Sequence, residues 1–284
     1  MILDLASQQL AGSEQGASSK ESELTAAQHD RIIAPTMPSL RLISWNLDGL
    51  DARHIDLRTE AACQIILERA PDVVFLQEVV ERSFFAHLRP WMQGVGYRAS
   101  PPQLTKRSRY GCIMFTRPPL TVLEARREPF AASQMGRSLL HTTVRWEGRE
   151  LLLLTAHLES LREGRPERVQ QLDVVRAALG AHAGPAVFAG DTNLRDSEVA
   201  GKEIRDAWSE LGGPRQCRYT FDAFAIPNKK GRTRARYDRV FLSAHPGWRS
   251  TEMSLLGMAS VPGAGGLFPS DHAGIEVLLS LSED

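Results

Sequence analysis

Short apolar runs and longer segments with apolar residues every third or fourth position alternate along the chain. From Leu40 onward "LRLISWN", "DVVFLQE", "ELLLLTAH", "PAVFAGDTN" and "RARYDRVFL" each read as a strand, rich in leucine, β-branched and aromatic residues. "GCIMFTRP" and "SLLHTTVRW" read likewise, on either side of a Pro-rich and charged loop, and "FPSDHAGIEVLLSL" places polar residues just before its apolar run. Two segments have helical spacing. "LRTEAACQIILERAPD" has apolar positions at Ala61 or Ala62, Ile65, Ile66 and Ala70 and stops before Pro71. "GRPERVQQLDVVRAALGAH" puts Pro166 near a first turn, spaces Val169, Leu172 and Val175 three apart, and reaches Leu179 before Gly180. Continuous runs such as "VVFL" and "LLLL" call for strands covered on both faces. Interleaved strands and helices therefore predict an α/β protein, a β-sandwich flanked by helices, with no internal repeat.

The strand-like runs end in polar side chains: Asn46, Glu78, His157, then Asp191 with Asn193, while Asp238 lies within "RYDRVFL" and Asp271 and His272 precede the last run. An unpaired charge in the middle of a buried strand costs several kcal/mol or more, whereas at strand ends such groups can converge on a cleft and share a metal and water. Each position alone admits a plainer reading. "AVFAGDTNLRD" could be a surface turn, because Gly, Asp and Asn favour turns. Glu78 could be a surface strand end, Asn46 a turn residue, and His157 a partner for buried backbone. Asp238 could pair with Arg236 or Arg239, and Asp271 could serve structure alone. Their recurrence at the same kind of transition points to a common site.

Composition narrows the picture. The 284 residues suffice for one large domain. Lys plus Arg number 34 and Asp plus Glu 34, so no long-range field steers the chain to a polyanion, and any nucleic-acid contact must be local. "NKKGRTRAR" is the one basic run, either a track for a phosphodiester backbone or a solvated loop. Cys63, Cys112 and Cys217 are few, odd in number and widely spaced, which fits reduced core thiols and an intracellular compartment. Residues 1–38 read as a flexible leader with a short helix around "ESELTAAQHDRII", without a secretory signal, and no run approaches the ~20 apolar residues of a membrane span.

The motifs "SWNLDGL", "DVVFLQEV", "AHLESLR", "FAGDTNLRD" and "FPSDHAGI", with "YTFD" and "RYDRVF", together resemble the endonuclease/exonuclease/phosphatase superfamily, and within it most closely the 5′-tyrosyl-DNA phosphodiesterase branch. The resemblance spans most of Leu40 to Leu281 and makes 39–284 a catalytic domain. It implies a DNase I-like four-layer α/β sandwich, two packed mixed β-sheets flanked by helices. It further implies a Mg²⁺-dependent phosphodiesterase, with Mn²⁺ as a substitute, that hydrolyses 5′-phosphotyrosyl-DNA linkages in DNA repair and leaves a 5′ phosphate. A general metal-dependent nuclease, or another phosphodiesterase of the superfamily, is the alternative.

On the same resemblance Glu78 holds the metal, Asn46 orders its water shell and Asp271 lies beside it. Asp191 activates the attacking water, Asn193 holds a phosphoryl oxygen, and His272, fixed by Asp238, stabilises charge at phosphorus. His157 and Ser160 complete the phosphate cradle, Arg195 and Arg137 approach the phosphate, and Phe221, Tyr237 and Tyr110 offer faces to a nucleobase. The implied partners are single-stranded or frayed DNA 5′ ends carrying a tyrosyl adduct, met by a monomer without a membrane, in the cytoplasm or in a nucleus. The leader is shorter than the ubiquitin-binding helical domain of eukaryotic members, so recruitment through ubiquitin is not implied. Ser44 stands where threonine is more usual.

Overall fold

Residues two apart on a strand share a face, and here both faces of the central strands are apolar. The computed structural model describes residues 37–100 and 110–282; the leader up to residue 36 and its expected helix lie outside them. One six-stranded sheet runs in the order β13 (Trp248–Leu256), β14 (Gly274–Leu281), β1 (Ser39–Asn46), β2 (Val73–Val79), β4 (Gly111–Thr116), β3 (Arg98–Ser100). The other runs β5 (Thr121–Pro129), β6 (Ser138–Trp146), β7 (Arg149–Thr155), β8 (Ala186–Asp191), β12 (Asp238–Leu242), β9 (Arg205–Asp206). A ribbon of β10 (Phe221–Asp222) and β11 (Arg234–Ala235) completes the strands among the described residues.

Each large sheet is mixed, with a parallel pair inside it, β1 with β2 and β7 with β8. A parallel pair needs a crossover, and α1 (Ile55–Arg69) and α4 (Arg165–Ala181) supply the two. α2 (Glu81–Ser83) passes through a π-helical turn, Phe84–Leu88, into α3 (Arg89–Gly94). As expected, α1 ends before Pro71, with Ala70 left-handed and its N–H on the carbonyls of Ile66 and Leu67. α4 starts at Arg165 with Pro166 in its first turn, but continues through Gly180 to Ala181. A glycine in the last turn costs only about 1 kcal/mol, and the burial of Val175 and Leu179 outweighs it.

Strand parity sorts the apolar residues into three layers. Leu40, Leu42, Val73 and Phe75 meet Leu151, Leu153, Val187 and Ala189 between the sheets. Ile43, Trp45, Val74 and Leu76, on the outer face, meet Ala62, Cys63 and Ile66 of α1 and Phe84, Leu88 and Met92. On the other outer face Leu152, Leu154, Ala186 and Phe188 meet Leu172, Val175 and Leu179 of α4. At about 1.5–3 kcal/mol per buried large apolar side chain, these layers supply the drive for a four-layer α/β sandwich, as the motifs implied. None of the helices among the described residues is long and apolar enough to cross a membrane.

The stretch expected as a charged loop before β6 contains a strand, β5. It is an edge strand, and most of its residues are exposed. With neither face consistently buried there is no alternation to read, and charges on an edge discourage pairing with other chains.

The same parity locates the polar positions. Ser44 and Asn46 continue the Leu40–Leu42 face, Gln77 continues Val73–Phe75, Thr155 continues Leu151–Leu153, Asp191 continues Val187–Ala189, and Asp238 precedes Val240 and Leu242. The layer between the sheets thus changes from apolar to polar toward one end. Gln77 marks the change, donating from Nε2 to Ser44 Oγ at 3.3 Å and to Thr155 Oγ1 at 3.2 Å across the sandwich. Gly190, of opposite parity to Asp191, lies against the backbone of Ala156, where an added Cβ would be 2.2 Å from the carbonyl oxygen. Gly190→Ala is therefore expected to destabilise the fold by about 1–3 kcal/mol through overpacking. A thermal or denaturant midpoint equal to that of the parent would contradict this account of the glycine.

Candidate active site

The antiparallel register of β8 and β12 sets Asp191 directly opposite Asp238, and β1 brings Asn46 to them from the other sheet. Asn46 Nδ2 donates to Asp191 Oδ2 at 2.9 Å, while its Oδ1 accepts the N–H of Asp48 at 2.9 Å. The other oxygen of Asp191 accepts the N–H of Asn193 at 3.0 Å. His272 Nδ1 lies 2.8 Å from Asp238 Oδ2, and its Nε2 faces Asp191 Oδ2 at 3.8 Å and Asp271 Oδ1 at 3.9 Å. His157 Nε2 is 3.3 Å from Asp191 Oδ2 and its Nδ1 is 3.9 Å from Glu78 Oε1. Six segments far apart in sequence therefore meet around Asp191. Arg236 and Arg239, the other candidate partners of Asp238, are held by Asp206 and Asp196 instead.

Local backbone serves this convergence. Glu78 has φ 53°, in the left-handed region, at a register shift between Leu76 and Val79. The strand bulges there and re-aims one carboxylate, at a cost of order 1–3 kcal/mol for a non-glycine residue. Asp48 and Asn193, with φ 48° and 51°, adopt the same conformation more readily, as Asp and Asn do. Gly49 of "SWNLDGL" would carry its Cβ 2.0 Å from the Glu78 carbonyl oxygen, so only glycine lets this loop lie on the bulge.

The expected substrate groups flank the cluster on two sides. Asn193 Nδ2 donates to Ser160 Oγ at 3.2 Å, and Arg137 Nη2 donates to the same hydroxyl at 3.0 Å. The Arg137 guanidinium lies 5.2 Å from the Tyr110 ring centre, and that ring is 6.4 Å from His157. On the other side Phe221 meets His272 edge-on at 5.1 Å, and Tyr237 lies 5.8 Å from Phe221 and 6.4 Å from His272. Arg195 stands differently. It precedes α5 (Asp196–Val199) and lines a cleft of about 460 Å³ with Arg162, Arg165, Arg168, Ser197 and Glu198.

The run "NKKGRTRAR" is not a free basic track. Lys229 binds Asp48 and Asp51, Arg234 binds Asp222 and lies over Tyr219, and Arg236 binds Asp206 and lies over Trp208. No acid lies within the run, and its partners come from outside it.

Several supporting residues escaped sequence reasoning. Asp48 follows Asn46 at the same two-residue spacing that links Asp191 and Asn193, a signal that was present. Ser270, in "FPSDH", donates to the Asn46 carbonyl and accepts the His272 N–H at 3.0 Å. Glu159, in "HLES", accepts the N–H groups of Gln134 and Met135 and the Ser133 hydroxyl, fixing the loop that carries Arg137. Arg58 is buried and donates to the carbonyls of Asp48 and Pro269, tying two site loops together; nothing in its helical context announces this.

Charge in the site is unbalanced. Burial pushes the Glu78 carboxyl up to about 7, and although His272 opposes this, Asp191, Asp271 and Asp48 add to it. Burial and then Asp271 push Asp48 up to about 6 against Lys229 and Arg58. Burial brings His157 down to about 3, so it is neutral. Burial acts the same way on His272, but Asp238 and Asp191 outweigh it and hold this imidazole well above its usual range. Among the described residues, Asp48 Oδ2, His157 Nδ1 and Asp238 Oδ1 are buried without a hydrogen-bond partner.

Crowded carboxylates with orphaned polar atoms are what a hydrated divalent cation relieves, so the donor set fits a metal ion. Ligand atoms of Asp191, Asp238 and His272 lie within 4.8 Å of one another. Asp238 and His272 already bond to each other, however; Glu78, Asp48 and Asp271 offer further hard oxygens, near enough for the charges of Asp271 and Asp48 to raise the Glu78 carboxyl.

The description "Endonuclease/Exonuclease/phosphatase family" belongs to the family whose sequence model matches residues 43–272. Tyrosyl-DNA phosphodiesterase 2 of Gallus gallus is 36% identical over 249 residues, covering 84% of this chain and 66% of the relative. That of Rattus norvegicus is 34% identical over 275 residues, covering 89% and 72%. The chain thus spans about two thirds of the length of these curated relatives. The crystal structure of the Danio rerio enzyme complexed with single-strand DNA product superposes with a TM-score of 0.78 at 35% identity, covering 85% of this chain and 99% of that one. The human Nocturnin catalytic domain, at 18% identity and a TM-score of 0.64 over 86% of this chain and 94% of that one, shares the fold.

Burial and neighbouring carboxylates push the Glu78 carboxyl up to about 7, so a cation held there would have to displace its proton below that pH. Divalent-ion affinity is expected to fall as pH drops through 7, by up to about tenfold per unit, and to level off above it. Calorimetry in two buffers of different ionisation heat should detect proton release at pH 6 that fades by pH 8.5; equal heats at pH 6 would refute it.

Proposed function

The chain belongs to the endonuclease/exonuclease/phosphatase family, and on that footing we propose that it is a metal-dependent phosphodiesterase that hydrolyses 5′-phosphotyrosyl-DNA linkages in DNA repair and leaves a 5′ phosphate. The observation that carries this reading is the convergence on Asp191 of Asn46, His157 and the His272–Asp238 pair, with Asn193, Ser160 and Arg137 on one side and two aromatic rings on the other. Mg²⁺ is the proposed working ion, with Mn²⁺ as a substitute. Glu78 would hold it with Asp48, Asp271 and the Asn46 amide beside it, and a divalent ion there would supply positive charge against the negative charge that develops in phosphoester hydrolysis.

The protein's own groups divide the remaining work. Asp191, held by the Asn46 amide and the Asn193 N–H, orients a water and takes its proton. Neutral His157 keeps the Asp191 carboxylate turned toward that water. His272, charged and locked through Nδ1 by Asp238, meets the negative charge that grows on phosphorus, in a site dry enough for that charge to count. Asn193, Ser160 and Arg137 grip the phosphate, and the basic cleft holding Arg195 offers a landing for phosphates further along the strand. Phe221 and Tyr237 stack a terminal base, worth about 1–3 kcal/mol, while Tyr110 backs the Arg137 side.

A short terminal contact of this kind suits a single-stranded or frayed 5′ end. It also suits a chain with zero net charge, whose one basic run is largely engaged by its own acids. The protein would act as a monomer inside the cell, in keeping with three buried free cysteines.

Asp191→Asn is expected to lower kcat on a 5′-tyrosyl single-stranded oligonucleotide by about 10²- to 10⁴-fold, and Phe221→Ala to raise KM several-fold. Normal turnover by the Asp191 variant would end the mechanism. Faster cleavage of an abasic duplex or of a choline phospholipid by the parent protein would overturn the substrate.

A further inference from the structure

Lys229 belongs to a run that reads as solvent-facing, yet its charge is committed inside the site. The residue before it, Asn228, is 4% exposed and bonds Phe268 twice, Nδ2 to the carbonyl at 3.1 Å and Oδ1 to the N–H at 2.8 Å. The Asn228 carbonyl accepts from Arg53 Nη2 at 2.7 Å. From that anchored turn Lys229 places Nζ 2.9 Å from Asp48 Oδ1 and 3.3 Å from Asp51 Oδ2. Asp48 is 3% exposed, and its N–H fixes the Asn46 amide whose other end donates to Asp191. An unbroken line of contacts thus runs from the ammonium to the carboxylate facing His272.

We infer that Lys229 is a positioning residue for the reaction proposed above, a tethered cation that holds Asp48, and through it the Asn46 amide, on Asp191 and that stands in for part of the positive charge the acidic cluster requires. The inference rests on that functional reading. The geometry supports it: the buried Asp48 carboxylate has Lys229 Nζ at 2.9 Å on one oxygen and Arg58 Nη1 at 3.5 Å on the other, so part of its charge is met by side chains of this chain. Without the lysine the cluster is more negative and would attract a divalent ion more strongly, while the Asn46 amide would lose its fixed support.

Those two consequences run in opposite directions, and this separates the role from mere packing. Lys229→Met keeps length and removes charge; Lys229→Arg restores charge. With full-length protein and no substrate, calorimetric titration of Lys229→Met with Mn²⁺ should show about three- to tenfold tighter binding, limited by the partial exposure of the lysine. On 5′-tyrosyl single-stranded DNA at saturating Mg²⁺ its kcat should fall about tenfold with KM nearly unchanged. Lys229→Arg should return both quantities toward the parent values. An unchanged kcat overturns the proposal whatever the metal affinity, and so does unchanged or weaker metal binding, which with a lower melting temperature would mark a purely structural latch. Should the parent protein fail on the tyrosyl substrate, the functional reading falls, and the metal titration still decides the charge of Lys229.

Discussion

The hydrogen bond from Asn46 to Asp191 crosses from one sheet to the other, and the site depends on that crossing. Two buried polar groups on separate sheets are tolerable only if they satisfy each other, so the sandwich must close in one register for either to be stable. The aliphatic layer behind them sets that register. Gln77 reinforces it by reaching Ser44 in its own sheet and Thr155 in the other. Asp191 then accepts from Asn193, faces both histidines, and stands opposite Asp238, so a single inter-sheet contact organises the groups around it.

Around that contact the fold accumulates negative charge and strain. Glu78 is held left-handed on a bulge, and its carboxyl is pushed far up by burial and by like charges. Such an arrangement costs stability and persists because packing over-determines it. His157 and His272, both nearly buried, are driven in opposite directions by their surroundings, one neutral and one charged. Two imidazoles within reach of one carboxylate therefore differ in charge, and the difference lies in the partners: His272 has Asp238 on Nδ1, whereas His157 Nδ1 has no hydrogen bond among the described residues.

Much of this was legible in the chain. The apolar runs, the two crossover helices and the polar residues at the ends of runs were each readable locally, because strand parity and helical spacing are short-range properties. β5 is not legible locally, because an exposed edge strand has no apolar alternation. Which acids hold the basic run is not legible locally, because Asp48, Asp51, Asp206 and Asp222 all lie outside it. Asp48 and Glu159 lie inside the motifs "SWNLDGL" and "AHLESLR", yet a residue that orients a neighbour looks no different in sequence from one that fills a turn.

Covalent spacing and the exclusion of water from apolar surface set which side chains are available, at which ends of which elements, and on which face of each strand. Only the tertiary structure decided which acid meets which histidine, that Lys229 turns inward while Lys230 stays exposed, and that Arg195 lines a basic cleft. Electrostatic pairing acts through space over a few ångströms, and proximity in space is set by how the sheets close.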